Sequence, residues 1–141
     1  MTLGLDTRLT LLAAGLIFLL ALLLGVWKYR QMATSPDHLA HPYVDIAHRS
    51  ALMYSFATLL VSVFVELSDW PTAVNATCAG ILVFFFVAAI GSYIAHGARR
   101  DTTNQFERPD AALRVAMIAL VVGEVGAFGV LLAGFVAAQL L

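Results

Sequence analysis

Charge is what this 141-residue chain has least of: 12% of its residues are Asp, Glu, Lys or Arg, while 61% are apolar. An ordinary soluble domain carries about 25% charged residues. Half that density cannot coat a soluble surface, which excludes a soluble globular domain and a disordered chain. Eight basic residues face nine acidic ones, so the net charge is −1 and no basic surface exists to grip nucleic acid. Cysteine is nearly absent. The single Cys78 excludes an intramolecular disulfide and a cysteine-rich metal site. The sequence also lacks a glycine-rich nucleotide loop, zinc-ligand spacing and a recognisable Ser–His–Asp set. Proline is scarce, and all four (Pro36, Pro42, Pro71, Pro109) fall between apolar stretches.

What is present is long apolar runs, at 9–27, 51–65, 73–95 and 111–141, with a mean hydropathy of +0.88 for the chain. A hydrocarbon core about 30 Å thick needs roughly 20 residues of helix. Backbone in lipid must satisfy its own hydrogen bonds, so the runs read as helices. The pattern predicts a single all-α transmembrane domain, an up-down four-helix bundle with helices near 8–28, 43–67, 72–96 and 109–141. The first run is too long for a signal-peptide core. It ends in Trp27-Lys28-Tyr29-Arg30, an aromatic belt with a stop-transfer charge, so it reads as a retained helix.

Basic residues set the expected orientation. Lys28, Arg30, Arg49, Arg99, Arg100, Arg108 and Arg114 cluster at the first and third connections, and only Arg8 lies at the other end. The positive-inside rule then puts 28–47 and 97–110 on the cytoplasmic side, in a bacterial inner membrane, with both termini outside.

The polar residues inside the runs form a short set. His48 near the start of helix 2 shares a level with Tyr93 and His96 near the end of helix 3. His48, Ser55, Ser62 and Glu66 make one polar stripe, spaced 7, 7 and 4. Asn75, Cys78 and Tyr93 line one face of helix 3, and the two faces are expected to pack together. Glu124 sits about 20 Å along helix 4, near the depth of Ser62, its expected hydrogen-bond partner. A carboxyl there is either a proton or substrate contact or a neutral group that glues helices. Gly123, Gly126 and Gly129, with Ala133, form a small-residue stripe suited to close helix packing. Bland readings stand beside these. His38 and His41 are solvated loop residues. His96 is an interfacial cation at a helix C-terminus. Tyr93 belongs to an aromatic belt, and Tyr54 packs in the bundle. An imidazole ending a polar helix face also suits haem iron.

Several short motifs occur in a telling order: Ser35-Pro36-Asp37, Ala47-His48, Gly91-Ser92-Tyr93 and Asn104-Gln105-Phe106. In that order and topology, from Ser35 to Phe106, the chain resembles styrene oxide isomerase and, more broadly, the membrane hydroxylaminobenzene mutases. The resemblance implies that His48 ligates haem b and that Tyr93 holds an epoxide near the iron. It also implies a homotrimer with haem between subunits. The reaction implied is isomerisation of an apolar aryl epoxide to an aldehyde, with ferric haem as Lewis acid. The family's Asn six residues after the His falls on Tyr54 here, or on Met53 if the alignment slips by one. Two other classes remain: a haem-carrying electron-transfer or quinone-reactive subunit, with His96 as second axial ligand, and a cofactor-free structural membrane subunit.

Overall fold

The computed structural model describes residues 2–141. Those residues form four helices and no strand: α1 (Leu5–Thr34), α2 (Pro42–Leu67), α3 (Thr72–Arg99) and α4 (Ala111–Gln139). Each is long and apolar enough to cross a membrane.

The boundaries follow local chemistry. α1 runs six residues past the expected end at 28, because nothing breaks it before Ser35-Pro36. Ser35, in the extended backbone that a residue preceding proline favours, stops it. Residues 28–34 and 42–47 are therefore helical, and the first connection shrinks to 35–41. Pro42 opens α2, where a missing N–H does no harm. His41 caps that helix, its Nδ1 accepting the Tyr43 N–H at 3.3 Å, so it has a structural role that the solvated-loop reading lacked. α3 closes on Arg100, whose left-handed backbone (φ 54°) returns its N–H to the His96 carbonyl. α4 starts at Ala111 rather than Pro109, because the Asp110 carboxylate caps the Leu113 N–H at 2.7 Å.

Successive helices alternate in direction. Thr7 at the start of α1 donates to Glu66 at the end of α2 (2.6 Å). The Tyr43 ring at the start of α2 lies 6.0 Å from Tyr93 near the end of α3. Trp70, just before α3, donates to the Val130 carbonyl late in α4 (2.8 Å). One end of the bundle thus carries the tight 68–71 turn and both termini; the other carries the 35–41 and 100–110 loops. These are the turn end and the loop end below.

The core is in two parts. Toward the turn end, Val61, Val65, Cys78, Leu82, Phe86 and Leu131 pack with α4. Toward the loop end, Ile17, Ala21, Leu24, Ala47, Ala51 and Ile90 form a second cluster to which α4 contributes nothing. Fully buried alanines there let α1 and α2 approach closely. Lys28 of α1 reaches Asp45 of α2 (2.6 Å) and fastens the same two helices, while Arg49 pairs with Asp45 within α2 (3.0 Å). α4 stays outside that cluster, and a space between α3 and α4 results.

Candidate functional site

Three features meet at the loop end. The first is His48, half-buried on α2. Its Nδ1 lies 2.9 Å from the Ala21 carbonyl of α1. A carbonyl oxygen only accepts, so Nδ1 carries the proton and Nε2 keeps its lone pair. Among the described residues Nε2 has no hydrogen-bond partner, and it is not sealed inside the protein. An imidazole oriented this way is set up as a metal ligand. Gly25 makes the room: a Cβ there would stand 2.9 Å from the His48 Cε1. Gly25 lies inside the apolar run of α1, where an isolated glycine is costly unless packing requires it.

The second feature is the space between α3 and α4, a cavity of about 510 Å³. Phe84, Phe85, Phe106, Leu113, Met117 and Leu120 supply apolar wall, and Tyr54, Ser92, Tyr93 and Gln105 supply polar atoms. Tyr54 is fixed by stacking on Phe86 (centroids 4.5 Å apart). Tyr93 is fixed against Tyr43. Neither phenol oxygen has a hydrogen-bond partner among the described residues, so both are free to meet a ligand. Met53, the alternative to Tyr54, is 73% exposed and faces away. The cavity matches a mostly apolar small molecule with one or two polar atoms.

The third feature is the 100–110 loop, which closes the cavity at the loop end. The Gln105 N–H donates to the Tyr43 hydroxyl (2.7 Å), and the Ser92 hydroxyl donates to the Gln105 side-chain oxygen (3.3 Å). Beyond Gln105 lies a wider, more polar hollow of about 730 Å³ that includes His96, Asp101, Glu107 and Arg108. Gln105 therefore partitions an apolar chamber from a polar one. Sequence reading gave it no role of its own. His96 pairs with Asp101 (2.8 Å) and packs on the Tyr43 ring (5.1 Å). That hydrogen bond holds the Asp101 carboxyl below its usual range.

The remaining expectations resolve differently. His48 and Tyr93 do border one packed layer, since Ala21, Ala47 and Tyr93 all belong to the loop-end cluster. Their reactive atoms serve different sides of it. The polar stripe of α2 meets α1, not α3: His48 reaches Ala21, Glu66 reaches Thr7, and Ser55 lines a groove with Leu11, Gly15 and Phe18. Ser55 and Ser62 donate to the carbonyls of Leu52 and Leu59 (2.6 Å each) and have no ligand-facing task. Ser62 thus does not bind Glu124, whose Oε1 is buried without a partner. Asn75 is a structural clamp, its amide donating to the carbonyls of Val65 (3.3 Å) and Trp70 (3.1 Å). In the glycine stripe, Gly123 abuts Phe85, whereas Gly126 and Gly129 face open space. No family model, curated protein or solved structure matches the chain.

Proposed function

We propose that this chain is a haem-b-dependent membrane isomerase, related to styrene oxide isomerase, that converts an apolar aryl epoxide to an aldehyde. The observation that carries the reading is the His48 imidazole, proton fixed on Nδ1 by the Ala21 carbonyl and Nε2 left open. Gly25 provides the cradle that keeps the ring in this pose. These residues fit a haem group, which His48 would hold through Nε2. Bound there, ferric haem supplies a Lewis acid for the epoxide oxygen.

The protein's own residues do the rest. Tyr93 and Tyr54 present unpartnered hydroxyls that hydrogen-bond and orient the epoxide. The phenylalanine and methionine walls hold the aryl ring and exclude water, which would otherwise capture the opened epoxide as a diol. The hydride shift is internal to the substrate, so the reaction needs no external electron.

His48 and Tyr54 are six residues apart on α2, roughly 120° around its axis. One faces α1 and the other faces α3. This favours a homo-oligomer, a trimer by the resemblance, in which one copy's His48 serves a neighbour's cavity. The orientation belongs to the same proposal: loops 35–41 and 100–110 cytoplasmic, termini outside, in a bacterial inner membrane. An electron-transfer subunit is disfavoured. It would want His96 as second ligand, but His96 packs on Tyr43, about 140° around α2 from His48.

The test is spectroscopic. Detergent-solubilised protein supplied with haem is expected to show a Soret band that His48→Ala abolishes, and to release phenylacetaldehyde from styrene oxide. An unchanged spectrum in His48→Ala overturns the ligand assignment. Activity from co-expressed His48→Ala and Tyr93→Phe chains well above that of either alone checks the shared site.

A further inference from the structure

Glu124 is the one carboxyl near the middle of an apolar helix, roughly 20 Å along α4 from Ala111. It lies on the α4 face that borders the cavity. Leu113, Met117 and Leu120 line the cavity from α4. Glu124 follows Leu120 by four residues on the same face. Its neighbour Gly123 is pressed against Phe85, a cavity wall. Glu124 itself is outside the cavity lining and stands one turn beyond Leu120, past the end of the wall that Leu113, Met117 and Leu120 form.

Nothing in the chain answers this carboxyl. Oε1 is buried and has no hydrogen-bond partner. The basic residues of the surrounding helices, Arg49 of α2, Arg99 of α3 and Arg114 of α4, all stand near the loop end, more than two turns away along the bundle. An unpaired carboxylate in an apolar span is expensive, so the group is a neutral acid. A neutral acid carries an O–H that wants an acceptor. The hydroxyls of Tyr54 and Tyr93 border the adjoining cavity and also lack partners, so two donors line the chamber and a third stands one turn beyond its wall.

We propose that the neutral Glu124 carboxyl closes the deep end of the α3–α4 cavity and donates a hydrogen bond to an oxygen of the bound ligand. It thereby selects aryl compounds bearing an acceptor oxygen over plain hydrocarbons of the same shape. The ligand class rests on the isomerase reading; the carboxyl's state and its contact do not need haem.

The experiment uses haem-free protein in detergent and two isosteric probes, benzyl methyl ether and propylbenzene. A carbonyl band of a protonated carboxylic acid is expected in the infrared at neutral pH, and Glu124→Gln removes it. Benzyl methyl ether shifts this band and propylbenzene does not. Binding followed by intrinsic fluorescence favours the ether over the hydrocarbon. Glu124→Ala reduces that preference about tenfold, and Glu124→Gln, with its amide donor, restores much of it. A carboxylate signature in place of the acid band overturns the proposal, as does a band that the ether leaves unmoved or a preference unchanged in Glu124→Ala. A chain that passes this test but shows no Soret band loses the isomerase reading and keeps this one.

Discussion

The two ends of the bundle treat their polar groups in opposite ways. At the turn end the polar groups hold one another, and the buried Asn75 side-chain oxygen is the exception without a partner. Thr7 holds Glu66, Asn75 holds the carbonyls of Val65 and Trp70, Trp70 holds Val130, and Gln139 holds Leu67. Toward the loop end two phenols stand without protein partners beside the cavity and the His48 Nε2 does so on the α1 side, with the Glu124 carboxyl oxygen near the middle of α4. Buried polar atoms without partners destabilise a fold, and among the described residues the two on side chains are Asn75 Oδ1 at the turn end and Glu124 Oε1 near the middle of α4. The accessible Nε2 and phenols toward the loop end mark where the chain is open to a ligand, while the paired groups at the other end hold it together.

The sharpest way to break this comparison is to exchange effects between the ends. Tyr93→Phe removes a hydroxyl that bonds to nothing in the chain. Turnover of styrene oxide is expected to fall about 100-fold, the loss typical of one donor aimed at developing charge. The unfolding midpoint should hold within the scatter of a neutral substitution, roughly 0.5 kcal/mol. Asn75→Ala should do the reverse. It strands the carbonyls of Val65 and Trp70 and should cost about 1–3 kcal/mol of stability, with kcat retained in the folded fraction. Equal kinetic losses in the two variants would erase the distinction between a binding end and a holding end.

Glycines test the same contrast through packing. A Cβ on Gly134 would run into Ser68 and Trp70, so Gly134→Ala must push the turn off α4. Overpacking of this kind costs about 1–3 kcal/mol, read as a lower denaturation midpoint in detergent. Gly126→Ala meets nothing within the chain and should leave the monomer unaffected. A large loss at Gly126 would show that this face of α4 is covered by another copy, and would move it from the open part of the molecule to the packed part.

The sequence was most readable where composition alone decides. Four apolar runs bounded by prolines gave four helices, because a chain this poor in charge has few other ways to satisfy its backbone in lipid. Boundaries were less readable. Residues 28–34 are polar, yet they hold good helix formers and no breaker, so α1 continued through them. Periodicity correctly put His48, Ser55, Ser62 and Glu66 on one face, but a stripe names a face and not the helix it meets; that partner proved to be α1. Depth likewise placed Glu124 level with Ser62 without fixing the angle between them, and Ser62 turned out to satisfy itself on its own helix. The cavity was invisible for a related reason. It exists because α4 stays out of the loop-end cluster, which is a property of packing among three helices rather than of any single one.

Gln105 offers a smaller effect that sharpens the binding end itself. It divides the apolar chamber from the polar hollow, held by Ser92 and Tyr43. With Cys78→Ala as background, a cysteine placed at Met117 should react slowly with a membrane-impermeant maleimide. Adding Gln105→Gly should speed that labelling several-fold, about the worth of one lost hydrogen bond of 0.5–1.5 kcal/mol. Unchanged labelling would show that the chamber opens elsewhere, between α3 and α4 toward lipid.

The smallest expected effect is one of pH, and it lies in the loop that carries Gln105. Asp101 is held below its ordinary value of 3.8 chiefly by the hydrogen bond from His96. A carboxyl depressed in the folded state stabilises that state above its unfolded pKa, and the contribution is lost as pH falls through the lower, folded value. The His96–Asp101 clasp should therefore hold the 100–110 loop across neutral and mildly acidic conditions and release it only below about pH 4. Amide protection factors in 102–107, corrected for intrinsic exchange, should drop in that window, while those of the Thr7–Glu66 region stay level. Asp101→Asn should flatten the dependence and lower protection slightly at neutral pH, since the pair is exposed and worth little to global stability. Loosening that set in well above that window would overturn the assignment of the loop's control to Asp101.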